Sequence, residues 1–511
     1  MAGVGDLMAP FKRFRPAAAA TGFALVLALL LGAAPARAVG LYLPSGDGGL
    51  RSDLTLLIDA GVLDLSTMAW PLPRADLERA LEDARIEEDS PLQIVLDRVR
   101  RAAVGPGSGT FSMRLVAGHS GLLRDFETAG REDGSATLAA AFGGTRWSTT
   151  LVVAGVTDPA DRHALRFDGS EVTLRAGNWL LGVNALDRWW GPGQQGSLIL
   201  SSNARPVPAL MLDRAESVPW GFRPLSWLGP WHFTMFVGRM EGARRDIPNP
   251  LLMGMRLAFR PRPWLQLGVQ RTNMLCGSGR ICDARTWWDM LVGHDNTPGA
   301  HQPGDALAGF DGRVSWPGRV PVAFYTQWIG EDASQMVPFK YLGLFGLELG
   351  SVASNGATWH AFAEYSDSTC SFYRTSNDPA KPQLFNCAYN NNLYNVEGYR
   401  YYGRALGEST DNDSRLLAVG ARYAPAYGGE WRVKYLHGDL NRDQTTPDIH
   451  NTVAVLATKY RALEGGWRGR LFGGEIGLQV GVQRLRALNA AAHVTGYGYL
   501  DWQRALPSSF L

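Results

Sequence analysis

From Thr110 to the end of the chain, apolar residues return at every second position rather than every third or fourth. Met255, Leu257 and Phe259 alternate with Arg256, Ala258 and Arg260. Pro261-Arg262-Pro263 then turns the chain, and Leu265, Leu267 and Val269 alternate with Gln266, Gly268 and Gln270. Trp431, Val433 and Tyr435 stand against Arg432 and Lys434. Ile476, Leu478, Val480 and Val482 stand against Glu475, Gly477, Gln479 and Gln483. Side chains alternate across a strand, so one face of each segment suits lipid and the other suits water. A soluble sandwich also alternates, but it does not carry so many strands in one chain.

The N-terminus restricts the choice further. Lys12, Arg13 and Arg15 precede an apolar stretch from Ala17 to Leu31, and small residues follow, ending Ala36-Arg37-Ala38. This is the order of a cleaved secretory signal, which makes 1–38 the leader and Val39 the expected mature N-terminus. No second run of eighteen or so apolar residues follows Leu31, which removes the transmembrane helix. Hydrocarbon admits only helices or closed barrels, because unpaired backbone groups are too costly there. The 60 glycines, 17 tryptophans, 16 tyrosines and 20 phenylalanines of the 511 residues fit a barrel. Formal net charge is +2, and losing the leader leaves the chain near neutral, so nothing in bulk charge argues for nucleic acid.

Residues 39–105 read as a small helical domain. Leu54, Leu57 and Ile58 share one face, with Gly61 placed to end the helix. Leu77, Ala80, Leu81 and Ala84 repeat helical spacing, as do Leu92, Val95, Leu96 and Val99 after Ser90-Pro91. Three short helices form a marginal core alone and are expected to dock on something larger. Gly105 to Gly109 reads as a linker, and 106–511 as an outer-membrane barrel of about 18 antiparallel strands. With the helices in the periplasm, odd connections face outside and even ones inside. The short turns (Gly143-Gly144, Pro261 to Pro263, Pro317 to Arg319, Ser354 to Gly356, Pro425 to Gly429) fall on even connections. The long polar stretches (Ser120 to Ser135, Ala243 to Pro250, Cys276 to Asp305, Thr369 to Asp413, Gly438 to His450) fall on odd ones. The tail after Trp502, ending Phe510-Leu511, departs from the terminal aromatic with which many barrels end.

Cys276, Cys282, Cys370 and Cys387 lie in turn-rich surroundings of an exported chain. Four cysteines allow three connectivities; the spacing favours two local disulfides, Cys276 with Cys282 and Cys370 with Cys387, both outside the cell. C-x5-C and C-x16-C match no common zinc spacing.

The stretch Asp187-Arg188-Trp189-Trp190-Gly191-Pro192-Gly193, followed by Gly196 to Ser202 and Asn203-Ala204-Arg205-Pro206, resembles the capsule assembly Wzi family. So do Leu225 to Trp231, Ile247-Pro248-Asn249, Gly254-Met255-Arg256, Leu307 to Asp311, and the helical pieces Leu50 to Asp53, Asp59 to Gly61 and Trp70 to Pro73. The likeness runs to about Asp311, and the final third matches by its strand pattern. The resemblance implies a barrel with a periplasmic helical bundle and no catalysis, a lectin-like retainer of capsular polysaccharide or exopolysaccharide on the outer surface. Outer-membrane lipid and that polysaccharide are then the expected partners, and no cofactor is expected.

Within that frame the candidate sugar-binding residues are Arg188, Trp189, Trp190, Arg205, Trp287, Trp288, Tyr389, Tyr394 and Tyr399. A ring offers an apolar face to a pyranose and Arg a planar donor fork to a uronate. The plainer reading puts one of Trp189 and Trp190 in an interfacial girdle and pairs the arginines with lumen carboxylates. Trp287 and Trp288 suit a lid with a short helix, and Tyr389 to Tyr402, with Asn390, Asn391, Asn392 and Asn395, mixes polar and aromatic groups suited to sugars.

Gly191-x-Gly193-x-x-Gly196 fits a dinucleotide fingerprint, but no βαβ pattern surrounds it. No H-E-x-x-H, G-x-S-x-G or P-loop motif is present. His294 and His301 beside Asp295 and Asp305, or Glu408 with Asp411 and Asp413, are weak metal candidates, and no metal is expected. The competing function is a diffusion channel for small solutes, since a barrel of this size can enclose an aqueous pore. Gln194 to Pro208, as an insertion into the lumen, argues against it.

Overall fold

A computed structural model describes residues 40–506 apart from 88, 105–109, 128–129, 293–303, 335–336, 371, 375–384, 387–388, 391–396 and 443–450. The leader and Val39, Cys387, Tyr394, His294, His301 and the tail after Leu506 therefore lie outside the described residues.

Three helices come first: α1 (Gly48–Asp59), α2 (Arg74–Glu82) and α3 (Leu92–Val104). Asp47 caps α1 by accepting from the Leu50 amide at 3.0 Å, and Gly61, at φ +75°, follows its end as expected. Leu54, Leu57, Ile58, Leu77, Ala80, Val95, Leu96 and Val99 bury one another. That core is completed by Phe126 and Trp189, which come from the barrel's own connections. The helices thus dock into the barrel.

Eighteen strands form the barrel. They are β1 (Thr110–His119), β2 (Gly134–Gly143), β3 (Trp147–Thr157), β4 (Glu171–Ala176, preceded by a two-residue piece at Leu165–Arg166), β5 (Trp179–Asn184), β6 (Ala209–Arg214), β7 (Trp231–Arg239), β8 (Leu251–Arg262) and β9 (Leu265–Leu275). The second half is β10 (Gly304–Trp316), β11 (Val322–Ser334), β12 (Val337–Val352), β13 (Thr358–Asp367), β14 (Arg415–Ala424), β15 (Glu430–Leu440), β16 (Thr458–Leu471), β17 (Gly474–Ala487) and β18 (His493–Leu506). Each pairs antiparallel with its sequence neighbours, and β18 closes on β1 from Gly498↔His119 to Leu506↔Phe111. Closure leaves no sheet edge for lipid to strand.

The even connections are short, as at 144–146, 177–178 and 472–473, and lie at the end where the helices dock. Arg260 of β8 donates to the Leu63 and Leu65 carbonyls, and Arg98 of α3 to Thr358 of β13. One even connection, 215–230, is longer and carries a 3-10 turn at Arg223–Leu228. The long connections cluster at the other end.

Outward positions are apolar and exposed (Val433, Leu463, Val480), and inward positions are polar. Part of the inward face is packed by protein, however. Arg256, Gln270 and Asp311 are all buried and bonded together, with Arg256 donating to Asp311 at 2.5 and 2.9 Å. Alternation marks a polar interior, and a polar interior can equally hold water or more protein.

Candidate functional site

What fills the lumen is the chain that leaves β5 at Asn184 and returns at β6. Trp189–Trp190 forms a two-residue ladder with Ala69–Trp70 of the helical domain, in the register Trp189↔Trp70. The Gly191 amide donates to Met68 O at 2.9 Å, and Arg51 of α1 donates to Pro192 O at 2.8 Å. The insertion is thereby tied to the helices below.

The next turn meets the barrel wall. The amides of Gln194, Gln195 and Gly196 donate to the Glu364 carboxylate of β13 at 2.6, 3.1 and 2.7 Å, and Tyr325 of β11 donates to it at 2.8 Å. Burial of a carboxylate is costly, and four convergent donors offset much of that cost. Gln327 of β11 donates to Trp190 O (2.7 Å) and accepts from the Leu198 amide (2.8 Å). The glycine-rich run therefore does cradle an anion with backbone amides, but the anion is the protein's own side chain. A β-carbon on Gly196 would overlap Glu408 Oε2, so a larger residue there would push the Glu408 carboxylate aside.

The upper side is closed by the connection between β13 and β14. Tyr389 donates to Leu198 O at 2.8 Å and accepts from the Glu408 amide, and Tyr399 donates to Ile199 O at 3.0 Å and accepts from the Thr272 hydroxyl at 2.8 Å. The two rings stack with centroids 5.9 Å apart. Asn203 donates to Ala405 O at 2.9 Å, and the Ser201 amide to Leu406 O at 2.8 Å. Buried peptide groups that would otherwise be orphaned are met one by one.

The expected site residues thus separate into two groups. Arg188, Trp189, Trp190, Tyr389 and Tyr399 are buried in the plug. Arg188 lies over the Phe236 ring at 4.4 Å and donates to Asn184 Oδ1 and to Val207 O at 2.8 and 2.9 Å, clamping both ends of the insertion. Neither tryptophan stands in an outer girdle: the two-residue ladder lies inside the lumen, with Trp189 against Phe126 and Trp190 against Phe236. Arg205 lies higher, bonded to Asp161 and Asp168 at 2.6 to 2.9 Å and beside the Tyr402 ring.

Trp287 and Trp288 lie on α4 (Ala284–Leu291), whose start is fixed by a capping box of Asp283 and Thr286. Cys276 and Cys282 are disulfide-bonded, with Cα atoms 5.1 Å apart, just before it. Met290 buries into a cluster with Met253 and Leu275, which leaves Trp288 63% exposed and Trp287 half-buried. Cys370 is buried, and its expected partner is beyond the described residues.

Glu364, Gln327, Tyr325, Arg313 and Glu348 hold the plug and were not singled out from the sequence. The available signal was a polar residue on the inward parity of a strand, as Gln327 is between outward-facing Thr326 and Trp328. Asp411, weighed as a calcium ligand, is taken by Arg400 at 2.6 Å and by Thr452 at 2.7 Å. Among the described residues no group of three His, Cys, Asp or Glu is arranged to hold a metal.

Glu408 closes the plug from above, with Oε2 buried and without a hydrogen-bond partner among the described residues. Burial, with the Glu364 carboxylate near, pushes it up to about 8 from the ordinary 4.5. The folded protein then keeps a proton that the unfolded chain releases, so stability falls as pH rises from about 4.5 to about 8 and is level above that. Glu408→Gln should flatten this slope. Hydrogen exchange of residues 406–414, corrected for intrinsic rate and taken on either side of pH 8, checks it. Equal protection of the unsubstituted segment at both pH values would contradict the assignment.

Comparison with known proteins places this arrangement. A family model described as capsule assembly protein Wzi matches residues 105–495. A Klebsiella pneumoniae protein, described as an uncharacterized 55.8 kDa protein in the cps region, is 32% identical over 332 residues, covering 62% of this chain. The match spans 64% of that relative's length, under two thirds. A solved Escherichia coli structure, described as Wzi, an outer membrane protein involved in group 1 capsule assembly and a carbohydrate-binding β-barrel, matches with a TM-score of 0.78. At 24% identity it covers 91% of this chain and 99% of its own, and shares the fold.

Proposed function

The chain belongs to the capsule assembly Wzi family, and from that premise we propose that it is a non-catalytic barrel of the bacterial outer membrane that holds capsular polysaccharide or exopolysaccharide at the cell surface. In this reading 39–105 is a periplasmic helical domain, 106–511 is the barrel, and the long connections face outside. The observation that carries it is the plug: the insertion, the helices and the described residues of the 368–414 connection stand in the lumen across the path a diffusion channel would need. A barrel that spends its interior on supporting its outer connections is suited to presenting a rigid outer surface.

Of the candidate sugar contacts among the described residues, Trp288 offers the most open ring, with Trp287 and Arg205 nearer the interior. Deleting the gene should leave polymer synthesis and export working while attached polysaccharide moves to the medium. Trp288→Ala should reproduce part of that shift, several-fold in a binding assay, with the barrel still assembled, because the ring packs little of the core. If the polymer is acidic, binding weakens with salt, since exposed charges are screened over about 10 Å at 0.1 M. Unchanged cell-bound polysaccharide in a deletion strain that still makes the polymer would remove the retention role.

A further inference from the structure

At the outer end of β16 and β17 the lipid-facing columns change character. Going outward, β17 presents Leu478, Val480 and Val482, then Arg484 and Arg486. Its neighbour β16 presents Leu463, then Arg461 and Lys459. The register sets Lys459 opposite Arg486 and Arg461 opposite Arg484, so four exposed cations form a square on one face of the sheet. Like charges directly opposed weaken a strand pair, and here two such pairs lie side by side.

Among the described residues little neutralises them. Across β15, Asp439 stands opposite Lys459 and His437 opposite Arg461, with Arg461 Nε donating to His437 Nδ1 at 3.3 Å. Arg415 of β14, next in the outer row, is taken by Asp367 at 2.6 Å. On the far side Val494 of β18 is uncharged. The stretch 452–457 (TVAVLA) that leads into β16 and the connection 488–492 (LNAAA) carry no charge. Among the described residues none of the four cations forms an ion pair, and Asp439 is the one carboxylate within the two rows that Arg415 and Asp367 leave over.

We infer that this square is a binding site for the phosphate groups of an anionic lipid of the outer leaflet. The inference rests on the orientation proposed above. The apolar column below, 46 to 66% exposed at Val480, Val482 and Leu463, runs without a break into the cations. A lipid lying along it brings acyl chain to the first and phosphate to the second. Arginine forks match phosphate oxygens in pairs, and each cation close to an anionic membrane surface strengthens attachment about fivefold. The opposed like charges are tolerated because the bound anion lies between them.

The test uses the detergent-purified full barrel and native mass spectrometry. Its probes are lipopolysaccharide, the same lipid dephosphorylated, phosphatidylglycerol vesicles and inorganic phosphate. Phosphorylated lipopolysaccharide should be retained and the dephosphorylated form lost. Arg461→Gln with Arg484→Gln should weaken retention by roughly twentyfold or more. Asp439→Asn should strengthen it, which keeps the test decisive if the double variant assembles poorly. Equal retention of both lipid forms, or an unchanged double variant, overturns the site. Competition by inorganic phosphate at matched concentration overturns the lipid as its occupant. Preference for phosphatidylglycerol would place this end in the inner leaflet, overturning the orientation as well while leaving the cation square as an anion site.

Discussion

Arg313→Met should free the helical domain from the barrel. Arg313 of β10 donates to both oxygens of Asp59, the last residue of α1, at 2.5 and 2.6 Å, and through Nε to Glu348 of β12 at 2.7 Å. All three side chains are less than a tenth exposed. Removing the cation leaves Asp59 buried without its partner and Glu348 with only Gln194 and His360, a loss of about 3–5 kcal/mol where buried pairs are broken from one side. The helices should then open at markedly lower denaturant than the strands. Protease cutting within residues 40–104, followed against urea while the barrel keeps its folded mobility on gels, measures it. Adding Asp59→Asn and Glu348→Gln should recover much of the loss, because neutral groups cost less to bury than unpaired charges. A single variant within about 1 kcal/mol of the parent would show that the docking does not depend on this network.

The second large effect concerns conduction. The intact protein should give no steady open pore in a planar bilayer. A variant lacking residues 40–104 and carrying a Gly-Ser linker of equal length in place of 192–204 should conduct steadily, since eighteen strands enclose an aqueous channel once nothing fills them. Glu364→Ala with Gln327→Ala is the milder form. It strips the acceptors from four amides, each costing roughly 1–3 kcal/mol when orphaned, and one of two donors from Trp190 O, which keeps the Ser197 hydroxyl, and should produce transient openings. Steady conductance from the unaltered protein would return the diffusion channel to first place. Silence from the emptied barrel would mean that other connections close it.

Much of this was legible in the residues. Period-two alternation is local, so strand number and the inward or outward parity of each residue could be read directly, as Met255 to Arg271 illustrates. Connection lengths are also local, and with the helices taken as periplasmic the short turns all fell at the helices' end. The family likeness around Asp187 to Arg205 marked the insertion that fills the lumen.

The roles inside the insertion could not be read that way. Arg188 and the two tryptophans looked like a rim or a girdle because alternation assumes that the strand continues, and after Asn184 it does not. Their partners are remote: Gln194 meets Glu364 170 positions away, Tyr399 meets Ile199 200 positions away, and Trp189 pairs with Trp70 of the N-terminal helical segment. The sequence by itself determined how many strands there are and which side chains face inward. Only the tertiary structure decided whether that inward face meets water or protein, because burial of a polar group depends on which distant donor or acceptor the closed barrel brings to it.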